Sequence, residues 1–163
     1  MKPFAEMTGP EKWAYLNESL EGDAASEKII ELAKAVRTLG GGRGAWEAKI
    51  AMALARDCVE YLTDHDRKGA QDFDPAEETW GRGVDACHGK ARLFVALCRA
   101  CGLGARLEPV WQDTKSGVPA LTHVFCAVCL NGAWLPVDPT AARARLGERL
   151  QQVPKEASGK WLK

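Results

Sequence analysis

The chain has 163 residues, a length that suits one domain with a single hydrophobic core. Lysine plus arginine and aspartate plus glutamate both number 22, so the net charge is zero, which argues against a partner held by bulk charge. No apolar run reaches the roughly 18 residues of a membrane helix, and the first residues lack the apolar stretch of a secretory signal. We therefore expect a cytoplasmic protein with no nucleic-acid or membrane partner; composition leaves the oligomeric state open.

The first half of the sequence predicts helices. A short helix is expected near Trp13–Leu20, within an irregular lead-in. Ser26 is placed to cap a second helix over about 27–39, because apolar residues follow at helical spacing and three glycines end it. A third helix is predicted over about 45–62, with Cys58 on its apolar side as a buried thiol. Residues 63–79 are polar and acidic, which indicates a solvated loop with His65 at the surface.

The second half has a sharper pattern. Residues 86–100 predict a helix with Asp85 as its N-cap, and a strand follows near 105–111. The β-rich runs Thr122–Leu130 and Ala133–Val137 flank Asn131-Gly132, the strongest short-range signal for a hairpin. Thr140 is expected to cap a last helix to about residue 152, before a frayed end.

The register of this hairpin brings two polar side chains together. With a two-residue turn, Leu130 pairs with Ala133, and one strand face is wholly apolar and must be core. His123 and Asp138 share the other face as diagonal neighbours, roughly 5–8 Å apart at the backbone. A carboxylate there can orient the imidazole and stabilise its protonated form. A plain surface pair is the alternative, although the surrounding face is aromatic rather than charged.

Six cysteines, at positions 58, 87, 98, 101, 126 and 129, are many for a chain without a secretory signal. In a reducing compartment they are more often buried thiols, metal ligands or a nucleophile than disulfides. The pairs Cys98-x-x-Cys101 and Cys126-x-x-Cys129 have the spacing of a zinc site. Yet residues three apart on a strand point to opposite faces, and the C-terminal end of a helix disfavours thiolates. We expect buried thiols and no metal, with structural zinc as the alternative.

Cys87 differs from the other five because it lies at the start of a predicted helix. Unpaired N–H groups and the positive end of the helix dipole favour a thiolate there. Glycines at 81, 83 and 89 leave room for the backbone of a substrate. A cysteine in this position and an oriented histidine together suit nucleophilic catalysis. The adjacent His88 points about 100° away on a helix, so we interpret it as a partly exposed neighbour and not as the base.

Three blocks of the sequence resemble the transglutaminase-like superfamily. Gly83–Ala91, with Cys87, and its continuation to Arg106 resemble the nucleophile helix of that family. Thr122–Phe125 resembles its His-x-Trp strand, and Asn131–Thr140 resembles its Gly-x-Trp-x-x-x-Asp-Pro-Thr ending. The blocks come in family order, and the resemblance covers about residues 16–141. Residues 142–163 would add a C-terminal helix and tail to a single domain spanning 1–163. Phe125 and Gly104 depart from the usual Trp and Pro.

The resemblance implies an α+β, papain-like fold, in which N-terminal helices and a nucleophile-bearing helix pack on an antiparallel sheet. It implies that Cys87 is the nucleophile, His123 the base and later the acid, and Asp138 the orienting carboxylate, with no cofactor. Trp80, Trp111 and Trp134 are candidates for the substrate groove. Core packing is the alternative for at least two of these tryptophans.

The predicted function is cysteine-dependent acyl transfer on amide bonds of a protein or peptide substrate. Hydrolysis, as in a peptidase or amidase, is expected ahead of transfer to a lysine amine, as in a transglutaminase. The reason is that a small single domain has little beyond its core to shape a tunnel for a second substrate. A non-catalytic binding or scaffold module of the same fold is the alternative from another class. The presence of all three residue types of a triad favours the enzyme.

Overall fold

The computed structural model describes residues 2–61, 75–140 and 145–148. A short 3-10 helix (Phe4–Glu6) leads into five helices: α1 (Gly9–Ala25), α2 (Glu27–Gly40), α3 (Gly44–Asp57), α4 (Ala76–Arg82) and α5 (Cys87–Ala100). The strands are β1 (Glu60–Tyr61), β2 (Val84–Asp85), β3 (Ala105–Gln112), β4 (Ala120–Leu130) and β5 (Ala133–Val137). None of the helices in these ranges is long and apolar enough to cross a membrane.

The main sheet is antiparallel, with β4 between β3 and β5, while β1 and β2 form a separate parallel pair. Leu130 lies opposite Ala133 in the hairpin, which confirms the predicted register. Asn131 and Gly132 have φ angles of 51° and 80°, the left-handed values that a two-residue type I′ turn requires. This turn chemistry sets which side chains of β4 and β5 share a face.

Helix α5 is the centre of the molecule. It packs on β3 and β4 and is contacted by α1, α2, α3 and α4. Every residue from His88 to Cys98 is buried. The arrangement confirms the predicted α+β fold, in which helices and the cysteine-bearing helix pack on an antiparallel sheet. It also fixes the N-terminus of α5 against the end of the sheet.

Two cationic side chains are buried in α5, each with compensating partners. Arg92 is 2% exposed and donates two hydrogen bonds of 2.9 Å to the Asp23 carboxylate of α1. Lys90, also 2% exposed, donates from Nζ to the carbonyls of Arg56 and Val59 at the end of α3. Burial lowers the pKa of Lys90, against the attraction of Asp57 and Asp138. The central helix is therefore tied to α1 and α3 by polar contacts as well as by packing.

The predicted helix near Trp13–Leu20 is too short. Helix α1 begins at Gly9 because Thr8 and Glu11 form a capping box: the Thr8 hydroxyl accepts from the Glu11 N–H, and the Glu11 carboxylate accepts from the Thr8 N–H at 2.8 Å. The box is readable in the sequence as Thr-x-x-Glu. Backbone hydrogen bonding then continues without interruption to Ala25.

The prediction of a buried Cys58 is wrong, because α3 ends at Asp57 and Cys58 is exposed. The buried side of α3 carries mainly small residues: Glu47, Ala48, Ala51, Met52 and Ala55. This side of α3 packs against α5. Ile50 and Leu54 lie beside it and are partly buried, whereas Trp46, near the start of the helix, is 52% exposed.

The predicted loop 63–79 ends in helix α4, while residues 62–74, with His65, lie outside the described residues. The predicted helix from Thr140 to about 152 is wrong in the part that the structure describes. Arg145–Glu148 forms a turn in which Gly147 has a φ of 86° and donates to the carbonyl of Pro136 at 2.9 Å. Residues 141–144 and the end predicted to fray, from 149, lie outside the described residues.

Candidate active site

Cys87 is the first residue of α5, and its side chain is half-buried. The N-cap is Ala86, not the predicted Asp85. Asp85 nonetheless serves the helix start, because its carboxylate accepts from the Ala86 N–H and from the Thr79 hydroxyl, both at 2.7 Å. The first N–H groups of a helix have no carbonyl one turn earlier, so the Cys87 sulfur lies at the positive end of α5.

Gly89 allows the Asp85 carboxylate to lie against this first turn. A Cβ built on Gly89 would come within 2.0 Å of the Asp85 Cγ and Oδ2 atoms. No side chain fits at that separation, so the residue must be glycine for the carboxylate to stay in place. The glycine that sequence analysis assigned to substrate access is thus needed for local packing.

His123 and Asp138 are brought together as the register predicts. His123 lies on β4, and Asp138 follows the last residue of β5. The His123 Nε2 and Asp138 Oδ2 atoms are 2.8 Å apart, with the side chains 8% and 1% exposed. The second Asp138 oxygen accepts from the Thr140 N–H at 3.1 Å, which fixes the carboxylate plane. Because Nε2 is engaged, Nδ1 is the ring nitrogen left for another partner.

The Cys87 thiol and His123 influence each other's ionisation: their interaction lowers the pKa of the thiol and raises the pKa of the imidazole. Burial alone would raise the pKa of Cys87, but its interactions with His123 and His88 outweigh this effect and lower the pKa from 9.0 to about 6. Burial alone would lower the pKa of His123, but Asp138 and Cys87 raise it from 6.5 to about 10. For Asp138, the bond with His123 overcomes desolvation, so its pKa lies below the usual value. Between these values the pair is a thiolate and an imidazolium.

His88 does not fit the prediction of a partly exposed neighbour. Its side chain is buried, and its ring lies against Phe4 with the ring centroids 5.2 Å apart. Its interaction with the Cys87 side chain contributes to the lowered pKa of that thiol. Phe4, which covers the His88 ring, belongs to the 3-10 helix near the start of the chain. The sequence pattern around Cys87 therefore did not indicate this contact.

The three candidate groove tryptophans lie in different places. Trp111, on β3, pairs with Leu121 near His123 and contacts Trp13 of α1, with ring centroids 6.3 Å apart. Trp80 of α4 is partly buried against the main core. Trp134 is near the hairpin turn, about 13 Å along the strand from Asp138. The Cζ atom of Arg106 lies over its ring, 4.1 Å from the ring centroid. Of the three, Trp111 is placed at the same end of the sheet as His123.

The remaining cysteines have different surroundings. Cys98, Cys101 and Cys126 are buried, and burial raises the pKa of each thiol, to about 11 for Cys101. Cys129 is half-buried. Among the described residues, no group of three or more His, Cys, Asp or Glu side chains is arranged to hold a metal ion. Cys87 is the cysteine whose pKa is lowered in this part of the chain.

Comparisons with known proteins concern the family and the fold of the chain. The family model of the transglutaminase-like superfamily matches residues 25–139. No curated protein sequence matches the chain. A solved candidate protease from Parabacteroides distasonis is similar, with a TM-score of 0.58, 11% identity, and coverage of 79% of this chain and 26% of that one.

A solved candidate cysteine protease from Cytophaga hutchinsonii has a TM-score of 0.52 and 15% identity, covering 90% of this chain and 49% of that chain. A solved TGase, at a TM-score of 0.42 and 19% identity, covers 94% of this chain and 38% of that chain and is too distant to carry an argument. The chain thus spans half or less of the length of these structures. At such identities the likeness concerns the fold.

Proposed function

Because the chain belongs to the transglutaminase-like superfamily, we propose that it is an enzyme that transfers acyl groups from amide bonds through a cysteine thiolate. Cys87 is the proposed nucleophile, His123 the base and later the acid, and Asp138 the group that orients the imidazole. The observation that carries the proposal is the buried 2.8 Å hydrogen bond between His123 and Asp138, together with Cys87 at the first turn of α5, whose pKa is lowered by its interaction with His123.

In the proposed acylation, the Cys87 thiolate attacks the carbonyl carbon of an amide, and a C–S bond forms. The Cys87 backbone N–H, at the first turn of α5, stabilises the negative charge that develops on the carbonyl oxygen. The C–N bond then breaks as the His123 imidazolium gives its proton to the leaving amine. The products of this half-reaction are a free amine, a neutral His123 and a thioester on Cys87.

In the proposed deacylation, neutral His123 takes a proton from water, and the resulting hydroxide attacks the thioester carbon. The C–S bond breaks, the carboxylic acid departs, and the thiolate–imidazolium pair is restored. Asp138 stays ionised throughout and holds the ring by its 2.8 Å hydrogen bond. A primary amine in place of water would give transamidation by the same steps.

We favour hydrolysis over transamidation on the size of the domain. Transamidation needs a site that admits an amine while excluding water, and a domain of this length has few residues to build such a site beyond its core. The two solved structures with TM-scores above 0.5 are candidate proteases, which favours the same choice. The substrate class is therefore proposed to be a protein or peptide amide.

The test is an assay with peptide amides and glutamine-containing peptides, in the absence and presence of a labelled primary amine. We expect amine or ammonia release by the wild type at least about 10²-fold above Cys87→Ala, with release exceeding incorporation of the label. The Cys58→Ser variant removes an exposed thiol outside the site and is the matched control, with wild-type activity expected.

A substrate-independent measurement accompanies this assay: the rate at which iodoacetamide alkylates each cysteine at pH 6, resolved by peptide mapping. Cys87 is expected to react fastest. If incorporation of the labelled amine exceeds hydrolysis, the proposed reaction is transamidation instead of hydrolysis. Slow alkylation of Cys87, together with equal turnover by wild type and Cys87→Ala, would contradict the proposal and favour a non-catalytic module.

A further inference from the structure

The first turns of α1 contact the end of the main sheet that carries His123. The ring of Trp13 lies against the ring of Trp111 on β3, with centroids 6.3 Å apart. Gly9, one turn earlier on the same side of α1, lies so close to β3 that an added Cβ would come within 3.0 Å of Trp111 Cζ3. Val110, the neighbour of Trp111, pairs with His123 in the β3–β4 ladder. Trp111 therefore lies roughly 6 Å from His123 at the backbone.

The other side of the same turns contacts the helix that begins with Cys87. Tyr15 of α1 packs on Phe4, with ring centroids 6.0 Å apart. Phe4 in turn lies 5.2 Å from the ring of His88, the residue that follows Cys87 in α5. The start of the chain thus contacts both the strand of His123 and the helix of Cys87. A substrate bound between these two residues has the first turns of α1 as its neighbour.

Trp13 and Trp111 form an apolar corner at this place. Their ring planes are inclined by 74°, so the rings meet edge to face, nearly at a right angle. Trp13 is backed by the main core, and both side chains are only half-buried. Ring surface that is left in water gains free energy when an apolar group covers it, whereas a charged group would lose hydration there. The corner therefore suits an aliphatic or aromatic side chain.

We propose that the Trp13–Trp111 corner is a specificity subsite that binds an apolar side chain of the substrate close to the scissile amide. The inference rests on the proposed function, because that function places the reacting amide between Cys87 and His123. An extended chain advances about 3.3 Å per residue, so a side chain one or two residues from the reacting carbonyl reaches the corner. Leucine or phenylalanine at that position is therefore preferred over alanine.

The test measures how fast Cys87 is alkylated at pH 7 by the N-chloroacetyl derivatives of alanine amide, leucine amide and phenylalanine amide. In each reagent the sulfur displaces chloride from a carbon about one residue away from the side chain. With the wild type, we expect the leucine and phenylalanine reagents to react roughly tenfold faster than the alanine reagent. Trp111→Ala removes one wall of the corner, so its three rates are expected to be nearly equal.

Trp46→Ala is the matched control, because it removes an equally large ring that is 52% exposed at the start of α3. The wild-type preference is expected to persist in that variant. Alkylation of the exposed Cys58, resolved by peptide mapping in the same digests, corrects for the intrinsic reactivity of each reagent. Should Trp111→Ala not fold, Trp13→Leu keeps an apolar side chain against the core and is expected to lower the preference for the phenylalanine reagent severalfold.

Equal rates with the three reagents in the wild type would overturn the inference, as would a full preference that persists in folded Trp111→Ala or, in its place, in Trp13→Leu. A different result marks failure of the proposed function. In that case wild-type Cys87 reacts with the alanine reagent no faster than Cys58 does, and the subsite is refuted together with the function on which it rests.

Discussion

The charge state of Cys87 is decided by two opposing effects, burial of the thiol and its interactions with neighbouring imidazoles. Burial disfavours a thiolate because a charged group loses hydration, and the same burial strengthens each hydrogen bond that the thiolate accepts. For Cys87 the partners win and the pKa falls to about 6, whereas for Cys98 and Cys126 burial wins and the pKa rises. The difference lies in the imidazoles at Cys87. Reactivity is thus a property of the neighbours of the thiol and not of its exposure alone.

The pH dependence of the proposed reaction follows from the shifted pKa values of Cys87 and His123. The pKa of Cys87 is lowered to about 6, so the thiolate is lost as the pH falls through that value. The pKa of His123 is raised to about 10, so the acid for the leaving amine is lost as the pH rises through that value. We expect a bell-shaped profile of kcat/KM with limbs near these two values, measured on the amide substrate identified in the assay above.

Substitution of Asp138 tests whether its carboxylate sets the pKa of His123. Asp138→Asn removes the charge that raises the pKa of His123, so the alkaline limb is expected to move down and the thiolate to lose part of its stabilisation. Asp113→Asn changes an exposed carboxylate on the loop after β3 and is the matched control. A wild-type profile in Asp138→Asn would mean that Asp138 does not act on His123.

At the scale of secondary-structure elements, the position of Cys87 depends on the hydrogen bonds at the start of α5 more than on the length of that helix. Asp85 lies just outside the helix, yet its carboxylate contacts both the Ala86 N–H and the Thr79 hydroxyl. Cys87 is therefore held by a buried polar network that joins α4, β2 and α5. The sequence predicted Asp85 as the N-cap of this helix. In the structure the N-cap is the next residue, Ala86, and Asp85 supports the helix start from one position earlier.

Gly89→Ala tests this arrangement. The added Cβ would lie 2.0 Å from the Asp85 carboxylate, so the carboxylate or the helix must shift, with an expected loss of about 1–3 kcal/mol in the free energy of unfolding. Gly22→Ala is the matched control, because nothing lies within 4 Å of the Cβ added to this glycine of α1. There we expect a gain of up to about 1 kcal/mol from helix propensity. Urea denaturation measures the free energy of unfolding of both variants. Equal changes in the two would contradict the proposed packing of Gly89 against Asp85.

Hairpin β4–β5 illustrates what short-range patterns can establish about a site. The turn residues determined the register, and the register placed His123 and Asp138 on one face, as found at 2.8 Å. Side-chain alternation has a period of two, so a correct turn determines every position that follows it. The third residue of the proposed site, Cys87, comes from a separate element, α5, so its position relative to His123 could not be predicted from the same pattern.

At the scale of the whole molecule, a buried ion pair joins the first helix to the central one. Arg92 and Asp23 are each 2% exposed at the side chain, and Asp23 also accepts from the Ala76 N–H at the start of α4. Removing one partner leaves the other charge buried without compensation. Such a pair is weak support for net stability but is costly to break.

Asp23→Ala is therefore expected to lower the free energy of unfolding by about 3–5 kcal/mol. Glu108→Gln, which breaks the exposed pair with Arg106, is the matched control and is expected to cost at most about 1 kcal/mol. The double variant Asp23→Ala with Arg92→Met removes both charges and is expected to be more stable than Asp23→Ala alone. Chemical denaturation gives the three values; a double variant less stable than the single one would show that the pair does not couple these residues.

The helices on the outside of the molecule show where sequence patterns reach their limit. Helix α2 was predicted nearly to its bounds: Ser26 is its N-cap residue, although the Ser26 side chain makes no capping hydrogen bond, and the helix ends before Gly41, whose φ of 62° is left-handed. For α3 the period was readable, but the side that faces the core was chosen by the closeness of α5, which small alanines permit. Trp46 is 52% exposed, and Cys58 is exposed because it follows the last residue of α3, Asp57. Which side of an amphipathic helix is buried depends on its neighbours when apolar residues lie on more than one side.

By itself the sequence determined the hairpin register, because turn chemistry and strand alternation act over a few residues, and its resemblance to the transglutaminase-like superfamily implied the α+β class and the residues of the proposed triad. Only the tertiary structure decided the ionisation of that triad and its surroundings. The pKa of Cys87 depends on His123 of β4 and on His88, whose ring is covered by Phe4. Desolvation and hydrogen bonding are set by groups that meet in space, and a linear pattern does not record which groups those are.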